Sequence, residues 1–197
     1  MDLQSERDLV ESSKKGEYKA FAQIYEHYYD KLLNYAYRRT LNRTASEDIV
    51  ANAFVKALDN LDKFTWSEYG ISPWLYRITS NELSNFFRKR NKYKFVAESY
   101  VLDYFNQGFE DRDSDEIDES LDVSMKYKHV QEVLQTINDR YQRVIHLKYF
   151  EGKSNAELSE IFGIEETSVR SLLSRALKSL KEKLAERYPA EFKLNLN

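Results

Sequence analysis

Cysteine is missing altogether from this chain of 197 residues, and glycine (five) and proline (two) are scarce. Without thiols there is neither a disulfide framework nor a thiolate metal site. The three histidines, His27, His129 and His146, stand in no metal-ligand spacing. So few breakers leave little material for hairpins and point to helices. Long apolar runs are also lacking: none approaches the ~18–20 residues of a membrane helix, and mean hydropathy is −0.71. The first residues, Met1–Glu6, do not follow the basic-then-apolar order of a signal peptide. These absences predict a protein without membrane insertion, metal or cofactor, located in the cytoplasm. A basic excess is wanting too, since the net charge is −3, and that total argues against a partner made of nucleic acid.

The total hides its distribution. Residues 1–97 carry a net +3, residues 98–122 a net −9 with a single basic residue, and residues 123–197 a net +3. The acidity belongs to one segment between two basic modules. Low late hydrophobicity and like charge predict that 98–122 is a flexible linker. The predicted architecture is therefore all-α: two small helical domains, 1–97 and 123–197, joined by that tether.

Apolar residues recur at three- and four-residue steps through Phe21, Ile24, Tyr25, Tyr28, Leu32 and Leu33, and again through Ile49, Val50, Ala53, Phe54 and Leu58. Ser46 before Glu47 and Asp48 reads as a hydroxyl cap with carboxylates at a helix's positive end. Phe64–Pro73 reads as a loop, and Pro73 opens a helix from Trp74 to about Arg90. On that helix Arg77, Asn81, Asn85 and Arg88 share one face. Trp66 and Tyr69 precede it, and Arg88, Lys89 and Arg90 open a basic run to Lys94. Rings, amides and cations together suit an unstacked nucleic-acid strand, whose bases stack, whose edges are read and whose phosphates are tracked. Trp74 reads as core, Trp66 and Tyr69 fit core or stacking equally, and the basic run also suits a helix C-terminus.

In the second module, Ser154 and Glu157 form a capping-box pattern, Gly163 stops a short helix, and a longer helix begins near Glu165–Thr167. Its apolar stripe is Val169, Leu172, Leu173, Ala176, Leu177, Leu180 and Leu184. Its other stripe is Thr167, Ser171, Ser174, Arg175 and Lys178, with Arg170 beside it. A short helix, a glycine turn and a second helix with a small, hydroxylated, basic face constitute a helix-turn-helix. Arg143, Lys148, Lys153 and Lys181 are candidate phosphate contacts.

These modules, in this order, resemble an extracytoplasmic-function (ECF) sigma factor of bacterial RNA polymerase. The resemblance rests on SEDIVANAFVKAL (Ser46–Leu58) and WLYRITSNELSNFFR (Trp74–Arg88) in the first domain. In the second it rests on Glu151–Ser154, Gly163, Thr167–Ser171 and Arg175-Ala176. It implies that Ser46–Leu58 docks on core polymerase, with Glu47, Asp48 and Asn52 as its polar contacts. Many relatives carry Gln and then an acid where this chain has Ala51 and Asn52. It implies that Phe64–Pro73, with Asn81, captures a flipped minus-10 base, and that Arg170, Ser171, Ser174 and Arg175 read the minus-35 element. It also implies that the tether threads the polymerase cleft. The expected partners are core polymerase and promoter DNA, with an anti-sigma factor as a candidate third. The expected role is non-enzymatic. The competing expectation is a conventional helix-turn-helix regulator that binds DNA without docking on core polymerase.

Overall fold

The computed structural model describes residues 1–94, 128–189 and 192. The tether 98–122 and the side chains of 91–94 in the basic run lie outside them. Among the described residues there are helices and no strand, in keeping with the all-α expectation.

Local chemistry sets the helix ends. Asp2 caps α1 (Leu3–Lys14) by accepting from the Ser5 N–H at 2.9 Å, and the Ser5 bonds hold its carboxyl below the usual carboxylate range. α2 (Tyr18–Thr40) buries one stripe: Ala20, Phe21, Ile24, Tyr28, Leu32, Leu33, Tyr35 and Ala36. Tyr25 lies at the edge of that stripe, 38% exposed, with its ring against Phe54 at 4.6 Å. The helix stops where Leu41 turns left-handed (φ 53°), an uncommon conformation for a side chain of that size. The carbonyl of Asn42's side chain then caps α3 (Arg43–Asp59) by accepting from Ala45 N–H at 2.8 Å.

That cap corrects the expected helix start. Ser46 is buried one turn inside α3, bonded to the Asn42 carbonyl at 2.7 Å and paired with the Thr40 hydroxyl at 2.6 Å. Asn42 takes the cap because its side-chain carbonyl reaches the free N–H of Ala45, the third residue of the helix, while Ser46 completes a buried hydroxyl pair. Leu58 likewise leaves the predicted stripe: it is 39% exposed, whereas Ile49, Val50, Ala53, Phe54 and Ala57 are buried. After a 3-10 turn (Leu61–Lys63), α4 (Ser72–Lys94) starts two residues before the expected Trp74, with Pro73 in its first turn.

A helix over 128–134, α5, precedes α6 (Asp139–Ile145). A π turn, His146–Phe150, continues α6. Then come α7 (Asn155–Phe162) and α8 (Glu166–Arg187). The capping box is present in both halves: Ser154 Oγ accepts from Glu157 N–H at 3.1 Å, and Glu157 accepts from Ser154 N–H at 2.8 Å. Gly163 adopts φ 63°, a conformation that costs glycine nothing. In α8 the expected stripe is buried except for Leu177, which is 39% exposed.

The helices pack into two compact units. The first joins Met1–Ser84 to Asn138–Leu177. Polar pairs line its interior: buried Arg39 with Asp139, Tyr76 O–H donating to Glu151 at 2.7 Å, and Arg38 donating to Glu151 at 3.2 Å. The second comprises, among the described residues, 85–94, 128–137, 178–189 and 192. Within it Glu132 accepts from Tyr188 O–H at 2.5 Å, and His129 stacks on the Tyr188 ring at 3.8 Å.

Candidate nucleic-acid interface

α8 presents Thr167, Arg170, Ser171, Ser174, Arg175 and Lys178, all exposed. Their restraints are local. Arg175 Nε donates to the Ser171 carbonyl at 3.2 Å, while Arg170 and Lys178 sit loosely beside Glu166 (3.9 Å) and Glu182 (3.8 Å). Exposed i, i+4 pairs of this kind are worth a few tenths of a kcal/mol, so the cations can be redirected to an incoming acceptor at small cost. Asn138, Arg140, Tyr141, Ser168 and Arg175 line a cavity of about 390 Å³ beside this helix.

Two of the expected phosphate contacts are engaged within the protein. Arg143 is half-buried with its guanidinium 5.1 Å over the Phe162 ring, and burial lowers its pKa. Lys153 is committed to Ser72 Oγ at 2.7 Å, Glu157 at 3.0 Å and the Tyr76 ring at 4.6 Å.

The loop before α4 is built differently. Buried Phe64 anchors it, Trp66 leans edge-on against Phe64 (6.1 Å, 78°), and Trp74 packs on the same ring at 5.0 Å. Both tryptophans are half-buried, so each combines a core contact with an accessible edge. Ser67 donates to Glu160 at 2.9 Å and accepts from the Tyr69 N–H at 3.2 Å. Tyr69 is half-buried, and its phenol is pushed up to about 12, chiefly by hydrogen bonding to Glu68. On α4, Arg77, Asn81, Arg88 and Lys89 are exposed, Arg90 is half-buried, and half-buried Asn85 accepts from Arg88 at 2.9 Å.

α3 offers a third surface. Asp48 and Asn52 are exposed, and half-buried Glu47 accepts from Arg43 Nε at 2.6 Å. Val55 (58% exposed) and Leu58 stand on the same helix as an apolar patch that the sequence reading did not single out. Glu6 and Lys14, which no motif marks, hold the loop. Glu6 looks in sequence like an ordinary first-turn acid.

Residues 24–93 match the family described as Sigma-70 region 2, and residues 128–180 match Sigma-70, region 4. RNA polymerase sigma factor YlaC of Bacillus subtilis is 31% identical over 163 residues, 83% of this chain and 91% of that protein. ECF RNA polymerase sigma factor SigW of the same organism is 31% identical over 182 residues, 90% and 95% of the two chains. The chain belongs to the ECF sigma factors. The fold agrees with two solved structures, each 21% identical to this chain. CnrH, in complex with the cytosolic domain of CnrY, gives a TM-score of 0.65 over 92% of this chain and 98% of its own. RpoE of Bartonella quintana, in complex with the anti-sigma factor NepR, gives 0.62 over 84% and 97%. Membership in this family displaces the conventional regulator as the reading of the helix-turn-helix. In this sigma factor no described helix is long and apolar enough to cross a membrane.

Proposed function

We propose that this sigma factor docks on core RNA polymerase and reads a promoter in two modes, acting by binding alone, in the cytoplasm. The observation that carries the reading is the pairing of two unlike surfaces in one region 2–region 4 chain. One is a rigid helix face of small, hydroxyl and basic groups on α8. The other is an aromatic loop followed by an amide- and arginine-bearing helix. The first suits duplex base edges: Arg175 and Arg170 can each hold a guanine by two donors, and Ser171 and Ser174 let the helix approach the groove floor. The second suits a melted strand: Trp66 and Tyr69 offer rings, Asn81 an edge-reading amide, and Arg77, Arg88, Lys89 and Arg90 a phosphate track.

Asp48 and Asn52, with the apolar Val55 and Leu58, form the surface we assign to core polymerase, and Glu47 orders its start through Arg43. Lys153 would reach a phosphate only by leaving Ser72 and Tyr76. The functional division into 1–97, 98–122 and 123–197 is part of this proposal, as is a regulatory partner of the anti-sigma class. Two tethered sites raise each other's local concentration, so docking and promoter contact reinforce one another. In-vitro transcription with purified core polymerase on genomic fragments tests the reading. Initiation that requires the chain and weakens steeply with salt is expected. Absence of both initiation and core binding would sink it.

A further inference from the structure

The region 2 match begins at residue 24, yet α1 reaches the aromatic loop at three points. Lys14 Nζ donates to the Phe64 carbonyl at 2.9 Å and lies 5.8 Å over that ring. The Arg7 guanidinium lies 5.9 Å over the Trp66 ring. Glu6, only 4% exposed, accepts from the Ile71 N–H at 3.0 Å through Oε2 and from the Tyr28 hydroxyl through Oε1. Burial and the Glu6 carboxylate raise the Tyr28 pKa, so that phenol keeps its proton and remains a donor.

The loop is shaped to admit this carboxylate. Gly70 has φ +69°, and a Cβ there would run into Glu6 Oε2. A buried carboxylate is a poor choice for stability alone, because an apolar side chain of similar volume would avoid its desolvation. What the carboxylate supplies is geometric. It fixes one end of the loop by a charge-assisted bond to backbone, while Lys14 fixes the other. A loop held this way has already given up the freedom that binding an unstacked base would otherwise have to remove.

We propose that α1 is a positioning element for strand capture. Glu6 and Lys14 set the backbone of the 64–71 loop, and Arg7 sets the Trp66 ring, so that Trp66 and Tyr69 meet the melted strand in one arrangement. The proposal rests on the reading of that loop as the capture site.

The test compares full-length Glu6→Ala, Glu6→Gln and Lys14→Met with a Trp66→Ala/Tyr69→Ala control, all assembled with core polymerase. Acrylamide quenching of Trp66, in a Trp74→Phe background, reports loop order in the free protein. Open-complex formation is measured on duplex and on pre-melted promoter DNA. Glu6→Ala should expose Trp66 to quencher and slow opening on duplex about tenfold, with core affinity unchanged. Glu6→Gln should remain near the native rate, since its amide oxygen can accept from Ile71 and its NH2 can donate to the Tyr28 oxygen. Lys14 is partly exposed and dispensable for the core, so Lys14→Met should slow opening about threefold even if Glu6→Ala proves unstable. If the control slows opening but quenching and rates in Glu6→Ala and Lys14→Met match the native protein, the positioning role is wrong and capture stands. If the control itself opens promoters normally, the capture reading fails instead.

Discussion

The two surfaces we assign to DNA in this sigma factor are held in place by opposite means. The α8 face is rigid because its backbone is helical, and its side chains are exposed and loosely paired. The loop from Phe64 to Ile71 has no helix to stiffen it and is fixed instead by a neighbouring helix and by a buried ring. Duplex DNA presents its edges in a regular groove, so a regular helix suffices to meet it. An unstacked base has no fixed frame, and the protein has to supply one.

Each surface can be disabled while the other is left intact. The largest effect is expected from Trp66→Ala/Tyr69→Ala. Stacking is worth ~1–3 kcal/mol per base, so opening should fall by one to several orders of magnitude while affinity for a minus-35 duplex stays unchanged. Arg175→Ala should do the reverse: promoter discrimination at minus-35 relaxes by ~1–3 kcal/mol, measured by competition between matched and mutated duplexes, with opening on pre-melted DNA intact.

A third prediction concerns the interior of the first unit. His146 is fully buried in the π turn, neither ring nitrogen has a hydrogen-bond partner, and Arg39 and Arg38 lie nearby. Burial, with those cations, pushes its pKa from the ordinary 6.5 down to about 3. Between these values the unfolded chain takes up a proton that the native state refuses, so this contribution is complete above pH 6.5 and is lost as pH falls toward 3. Thermal unfolding at pH 5 should show the native protein losing roughly 1–2 kcal/mol relative to His146→Leu, compared with the same pair at pH 7.5. The smallest effect belongs to Lys178→Ala. It should weaken all duplexes alike and reduce the salt slope of binding by about 0.9.

What was legible in the sequence was what local chemistry decides. The capping box at Ser154 and Glu157, the left-handed Gly163 and the outer face of α8 each follow from residues within a turn or two of one another. Contacts between distant residues were not legible. Glu6 reads as a dipole partner, and its role comes from Tyr28 and Ile71, 22 and 65 positions away. Arg143 and Lys153 read as free cations, and they are claimed by Phe162 and by Ser72 and Tyr76. Ser46 reads as a cap because it precedes two acids, whereas the cap is Asn42, four residues earlier, exposed by the left-handed Leu41. The apolar periodicity placed the cores but overreached at Leu58 and Leu177, which continue the helical spacing out to solvent.

The most direct measurement places 2-aminopurine in the minus-10 segment of the non-template strand and follows its fluorescence as core polymerase and this chain are added to promoter DNA. A rise that requires both proteins, and that Trp66→Ala/Tyr69→Ala abolishes, is the expected result. A flat signal from a chain that still binds core polymerase and the minus-35 duplex would contradict strand capture by this loop.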